Sequence, residues 1–177
     1  MIKRKYDCKP KQDIMKRDDT VEKLRNSDIG WRLFEDNNII LDEDCLARVT
    51  VNSKIDSMNT WSSITKSTEP HLFKLPEEFW NGLDKRGFID ADWDTKHKDI
   101  DLSPYIEKAD RVIFFWGGYN SIITDGEVLV EYWDDFCYPG DDNILIANPS
   151  KGILAVFVED CFIFYHMNGL KSLVDNA

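Results

Sequence analysis

Apolar and polar residues alternate in distinct ways along the chain, and the clearest patterns lie in its last third. Arg111–Trp116 (RVIFFW) is an unbroken apolar run of strand length and β-rich composition. Gly117-Gly118 turns it, and Ser121–Ile123 returns as a hairpin partner. Asn143–Ala147, Ile153–Val158 and Phe162–His166 read as three further strands. The links between them, Asn148–Gly152 and Glu159-Asp160, are short enough to favour antiparallel neighbours. Between the two groups of strands the period changes. Leu129, Tyr132, Trp133 and Phe136 recur at helical spacing behind a Thr124/Glu127 capping box, and Tyr138-Pro139-Gly140 ends the helix.

The first half is helix-leaning. Pro76 at a first helical position, acids Glu77 and Glu78, and apolar Leu75, Phe79, Trp80 and Leu83 predict a helix over 75–87, closed by Lys85, Arg86 and Gly87. Asp56 is the expected cap of a segment that aligns Met58, Trp61 and Ile64, and Asp18-Asp19-Thr20 that of a short helix with Val21 and Leu24. Trp31–Phe34 reads as a short strand, and Ser103-Pro104 as the start of a helical turn. The expected fold class is α+β: an antiparallel sheet of about five strands, mostly in the C-terminal half, packed on one face by helices from the N-terminal half.

Charge then divides the chain. Of 177 residues, 33 are acidic and 22 basic, a net −11. Residues 1–17 hold seven bases against two acids, and 84–142 hold fifteen acids against six bases. The sequence therefore reads as a basic N-terminal arm, 1–17, before a single domain over 18–177. A body this acidic repels phosphate backbones and anionic membranes, which excludes direct nucleic-acid binding and membrane association as expected roles. Four dispersed cysteines without a CxxC pair, and a basic start with no apolar segment behind it, point to a cytoplasmic protein with reduced thiols.

Candidate chemistry is sparse. Asp90, Asp92, Asp94 and Asp101 occupy positions 1, 3, 5 and 12 of a calcium-type loop, but Thr95 stands where a sharp turn needs glycine and His97 where an apolar anchor belongs. A metal-dependent hydrolase built on Asp90, Asp92, Asp94 and a histidine remains an alternative. His71, His97 and His166 fall into no hydrolase motif, His166 reading as a strand-end residue, and Gly117-Gly118 into no phosphate-binding one. The expectation is a protein without catalytic residues, cofactor or metal. Its interaction surface is expected at Glu127, Glu131, Asp134, Asp135, Tyr138, Asp141 and Asp142, where clustered carboxylates beside an aromatic suit a basic partner.

Several stretches also carry a resemblance. Asp42-Glu43-Asp44-Cys45-Leu46, Trp61, Leu75–Trp80, Val112–Trp116, Tyr132–Phe136 and Asp141–Ile146 resemble, over roughly 42–166, an uncharacterised bacterial domain family that combines a Trp-containing helical half with a C-terminal sheet. The compact, acidic character is similar to that of immunity proteins from bacterial contact-dependent growth inhibition and related polymorphic toxin systems. That likeness implies stoichiometric neutralisation of a cognate toxin C-terminal domain, a basic nuclease, and supplies no catalytic residues. A regulatory adaptor for a basic host protein is the other alternative.

Overall fold

A computed structural model describes residues 14–35, 38–91 and 100–175. Its centre is a seven-stranded, wholly antiparallel sheet in the order β3-β6-β5-β7-β8-β9-β4. The interior strands are β5 (Arg111–Trp116), β6 (Ser121–Asp125), β7 (Ile144–Asn148), β8 (Ile153–Val158) and β9 (Cys161–His166). The two edges come from the first half: β3 (Thr50–Val51) and β4 (Asp84–Asp90). A separate two-stranded ribbon joins β1 (Phe34–Glu35) to β2 (Asn38–Ile39).

The α+β class expected from the sequence is therefore present, with seven strands in the main sheet rather than about five. The helices differ from expectation in placement, because they cover both faces. In β5, Val112, Phe114 and Trp116 enter one core while Ile113 and Phe115 enter the other. Strands as uniformly apolar as β5, β7 and β8 have no face that tolerates water, so each side needs a cover. The first is covered by α1 (Ile14–Arg25), α2 (Glu43–Ala47), α5 (Gly126–Glu131) and α6 (Trp133–Phe136), through Leu24, Leu46, Leu129 and Phe136 among others. The second is covered by α3 (Lys54–Thr65), α4 (Glu77–Asn81) and α7 (Leu170–Asp175), through Trp61, Phe79 and Leu170. Trp61 is 1% exposed, meets Phe115 edge-on at 5.6 Å, and donates its indole N–H to the Glu69 carbonyl at 2.7 Å.

Several boundaries move for identifiable reasons. Helix α4 stops at Asn81, and Lys85, Arg86 and Gly87 belong to β4. Gly87 stands at a register shift opposite Phe164, and a Cβ there would collide with the Tyr105 hydroxyl. Ser53, not Asp56, caps α3: its hydroxyl accepts from the Asp56 N–H at 3.1 Å and donates to the Asp56 carboxylate at 2.7 Å. The Thr124/Glu127 box is likewise unused. Thr124 lies within β6, and Asp125 caps α5 by accepting from the Val128 N–H at 3.0 Å. Tyr132, with φ −118° and ψ 23°, breaks the expected single helix into α5 and α6. Helix α1 starts at Ile14, so Asp18–Thr20 lie inside it and the last residues of the expected arm are helical. Trp31–Leu33 form a 3-10 turn, not a strand.

The Gly117-Gly118 hairpin forms as expected. Gly117 has φ +71°, a left-handed conformation that glycine adopts without cost, and its N–H donates to the Asn143 carbonyl at 2.7 Å. Among the described residues, no helix is long and apolar enough to cross a membrane.

Candidate functional site

The 3-10 turn at Gly30–Leu33 is tight because Gly30 presses against the carbonyls of Leu24 and Arg25, where no Cβ fits. Leu33 is buried by that turn, and Trp31 is left outside, 65% exposed. From the other half of the chain, α6 ends at Phe136 and the following loop brings Tyr138 under Trp31. The two rings stack with centroids 5.5 Å apart and planes inclined by 18°.

Arg32 fixes this pair. Its guanidinium lies 4.6 Å from the Trp31 ring centroid and 5.2 Å from that of Tyr138. It grips Asp141 through two bonds, Nη1 to Oδ2 at 2.6 Å and Nη2 to Oδ1 at 2.7 Å. Asp141 Oδ2 also accepts from the Tyr138 N–H at 2.8 Å, and the Tyr138 hydroxyl donates to the Arg32 carbonyl at 3.3 Å. The side chains of Arg32 and Asp141 are only 11% and 18% exposed, so the bidentate pair works where water screens it weakly. The result is a locked aromatic shelf.

Charge around the shelf is negative. Burial first, then the charge of Asp135, with further contributions from Asp134 and Asp141 against the opposing Arg32, raises the Tyr138 phenol above its ordinary value. Asp134 and Asp142 have no cationic partner among the described residues, and Asp142 is exposed. Asp135, in the first turn of α6, and Glu131, at the end of α5, are half-buried.

The seven carboxylate and aromatic positions expected from the sequence thus divide. Asp134, Asp135, Tyr138, Asp141 and Asp142 gather in and just after α6, with Asp141 spent on Arg32, and Glu131 closes α5 ahead of them. Glu127 belongs to a different arrangement between α2 and α5. There Arg48 Nη1 donates to Asp125 Oδ2 at 3.0 Å and to Glu127 Oε2 at 2.8 Å, and Lys108 reaches Glu127 at 3.4 Å. The hydrogen bond from Arg48, followed by that from Lys108, lowers the Glu127 carboxyl. Beneath it, burial and then the hydrogen bond with Asp42 push the Cys45 thiol up to about 11, leaving little thiolate at neutral pH.

Trp31 and Arg32 were not among the expected site residues. Gly30 in front of them is the signal that a turn, and not a strand, carries them. Of the candidate metal loop, Asp92, Asp94, Thr95 and His97 lie outside the described residues. Asp90 is exposed at the end of β4, and Asp101 accepts from the Ser103 N–H at 3.0 Å. Among the described residues, no group of three or more His, Cys, Asp or Glu is placed to hold a metal ion. His71 is tied into a turn through Asn143 at 3.1 Å, and His166 packs against Gly152 at the end of β9.

The α+β body thus presents an aromatic shelf beside clustered carboxylates. Residues 22–165 match the model of a family described as "Protein of unknown function (DUF2947)", and the chain belongs to that family. No curated protein and no solved structure matches it.

Proposed function

We propose that this chain is a non-enzymatic immunity protein of a bacterial contact-dependent growth inhibition or related polymorphic toxin system. It binds a cognate toxin domain, a basic nuclease, one to one in the cytoplasm and neutralises it. The observation that carries the proposal is the shelf beside α6: braced, exposed and half-buried aromatics flanked by Asp134 and Asp142, which have no cationic partner among the described residues. The resemblance of the sequence to immunity proteins supports the toxin as the partner.

The physics suits that role. Opposite charge raises association rates to about 10⁸–10⁹ M⁻¹s⁻¹ at low salt, and a protective protein needs fast capture. Carboxylates presented to a nuclease occupy the cationic groups that would otherwise hold phosphates.

The test is growth rescue. The C-terminal domain of a toxin encoded next to this gene is expressed in cells with and without this protein. Growth is expected to recover only when the protein is present. Neutralising Asp134, Asp135 and Asp142 to asparagine is expected to weaken rescue, and binding by about tenfold or more, with Asp141 retained because it braces Arg32. Toxicity that persists beside a folded protein defeats the proposal; full rescue by the triple variant relocates the surface.

A further inference from the structure

We infer that the exposed ring of Trp31 is the seat for an arginine side chain of the basic partner, with Asp134 and Asp142 as its counter-charges. The inference rests on the binding role proposed above and adds the chemistry of the contact.

Trp31 differs from the other tryptophans in the cores: Trp61 is 1%, Trp133 3% and Trp116 9% exposed, whereas Trp31 is 65% exposed. Ile55, Phe73 and Phe88 are as exposed, but Trp31 is the one of these that offers a large aromatic face stacked on a second ring. It is also held still. Tyr138 stacks on it, Arg32 lies over both rings, and Asp141 pins Arg32 with two hydrogen bonds. A partner meeting this ring therefore has little side-chain freedom to freeze out. Rigid Trp and Tyr are the residue types that dominate interface energies.

Charge selects what sits there. An indole face attracts cations, and two carboxylates add to that field: Asp134, whose charge reaches Tyr138, and Asp142, which follows the Arg32-bound Asp141; neither has a cationic partner among the described residues. The same carboxylates repel an anionic ligand. Between the two basic side chains, the planar, weakly hydrated guanidinium stacks on a ring better than the compact ammonium of lysine. The molecule already displays this preference in its own Arg32. Because Asp141 neutralises that resident guanidinium, the negative charge of the neighbouring carboxylates remains for an incoming one.

Hexa-arginine and hexa-lysine peptides serve as probes, titrated into the full chain at low salt and followed by calorimetry. Hexa-arginine is expected to bind more tightly. Trp31→Ala, whose fold is checked by its melting curve, is expected to weaken hexa-arginine by about five- to tenfold and hexa-lysine by less than about twofold. Replacing Asp134 and Asp142 by asparagine is expected to weaken both peptides alike. In the unsubstituted protein, the Trp31 indole N–H resonance is expected to shift on adding hexa-arginine. An unmoved resonance, equal losses for both peptides in Trp31→Ala, or no hexa-arginine binding at all overturns the arginine seat. None of these results touches growth rescue, which tests the binding role separately.

Discussion

Single residues in this protein often hold two distant segments together, and Asp110 does so most economically. Its Oδ2 accepts from the Glu107 N–H and from Asn148 Nδ2, both at 2.8 Å, and its Oδ1 accepts from the Ser150 hydroxyl at 2.8 Å. Lys151 stands 3.8 Å away. Burial alone would raise this carboxyl. The backbone bond from Glu107, the bonds from Asn148 and Ser150, and Lys151 outweigh it and lower the pKa below the ordinary 3.8. A carboxyl lowered in the folded state stabilises the protein fully above its unfolded-state pKa and loses that contribution as pH falls through the folded value. Asp110→Asn is accordingly expected to cost about 1–3 kcal/mol at pH 7, because an amide cannot accept all three bonds. The gap between variant and parent in urea melts is expected to narrow as pH drops below about 4. A gap that is constant with pH would show that the charge of Asp110 contributes nothing.

At the scale of elements, β4 is the instructive case. Its Lys85-Arg86-Gly87 imitates the basic last turn and glycine stop of a helix, and local sequence alone favours that reading. What overrides it is the ladder with β9, which no local pattern reveals. Gly87 is needed there for space: Tyr105 covers the position and stacks on Phe164 with centroids 3.8 Å apart. Gly87→Val is therefore expected to destabilise the protein by about 1–3 kcal/mol in denaturant unfolding, although valine normally favours a strand. A neutral or stabilising result would mean that Tyr105 moves aside without cost. By contrast β5, β7, β8 and β9 were legible as strands, because long apolar runs joined by short turns leave few other folds open. β3 was invisible, since Thr50–Val51 is two residues long and paired only through β6. The candidate site followed the same division. Tyr138, Asp134 and Asp142 lie within one stretch and could be grouped from the sequence. Trp31 and Arg32 could not, because Arg32 meets Asp141 across 109 positions.

Over the whole molecule, charge and topology are both unevenly distributed along the chain. With seven bases against two acids in residues 1–17, the remainder holds 31 acids against 15 bases, a larger acidic excess than that of the whole chain. Like charges on a compact body repel, and salt screens them over about 10 Å at 0.1 M. The melting temperature is expected to rise by a few degrees between about 20 and about 300 mM NaCl, as followed by differential scanning calorimetry. A fall would show that ion pairs such as those of Arg48 outweigh the general repulsion. The sheet order carries a different consequence. Both edge strands and several of the covering helices come from the first 90 residues, whereas every interior strand comes from residue 111 onward. During synthesis α1 to α4 therefore emerge before the wall on which they rest. Trp61, Leu72 and Phe79 have no sheet to pack against until β5 through β9 have been made, so their burial is one of the last events in the making of the molecule.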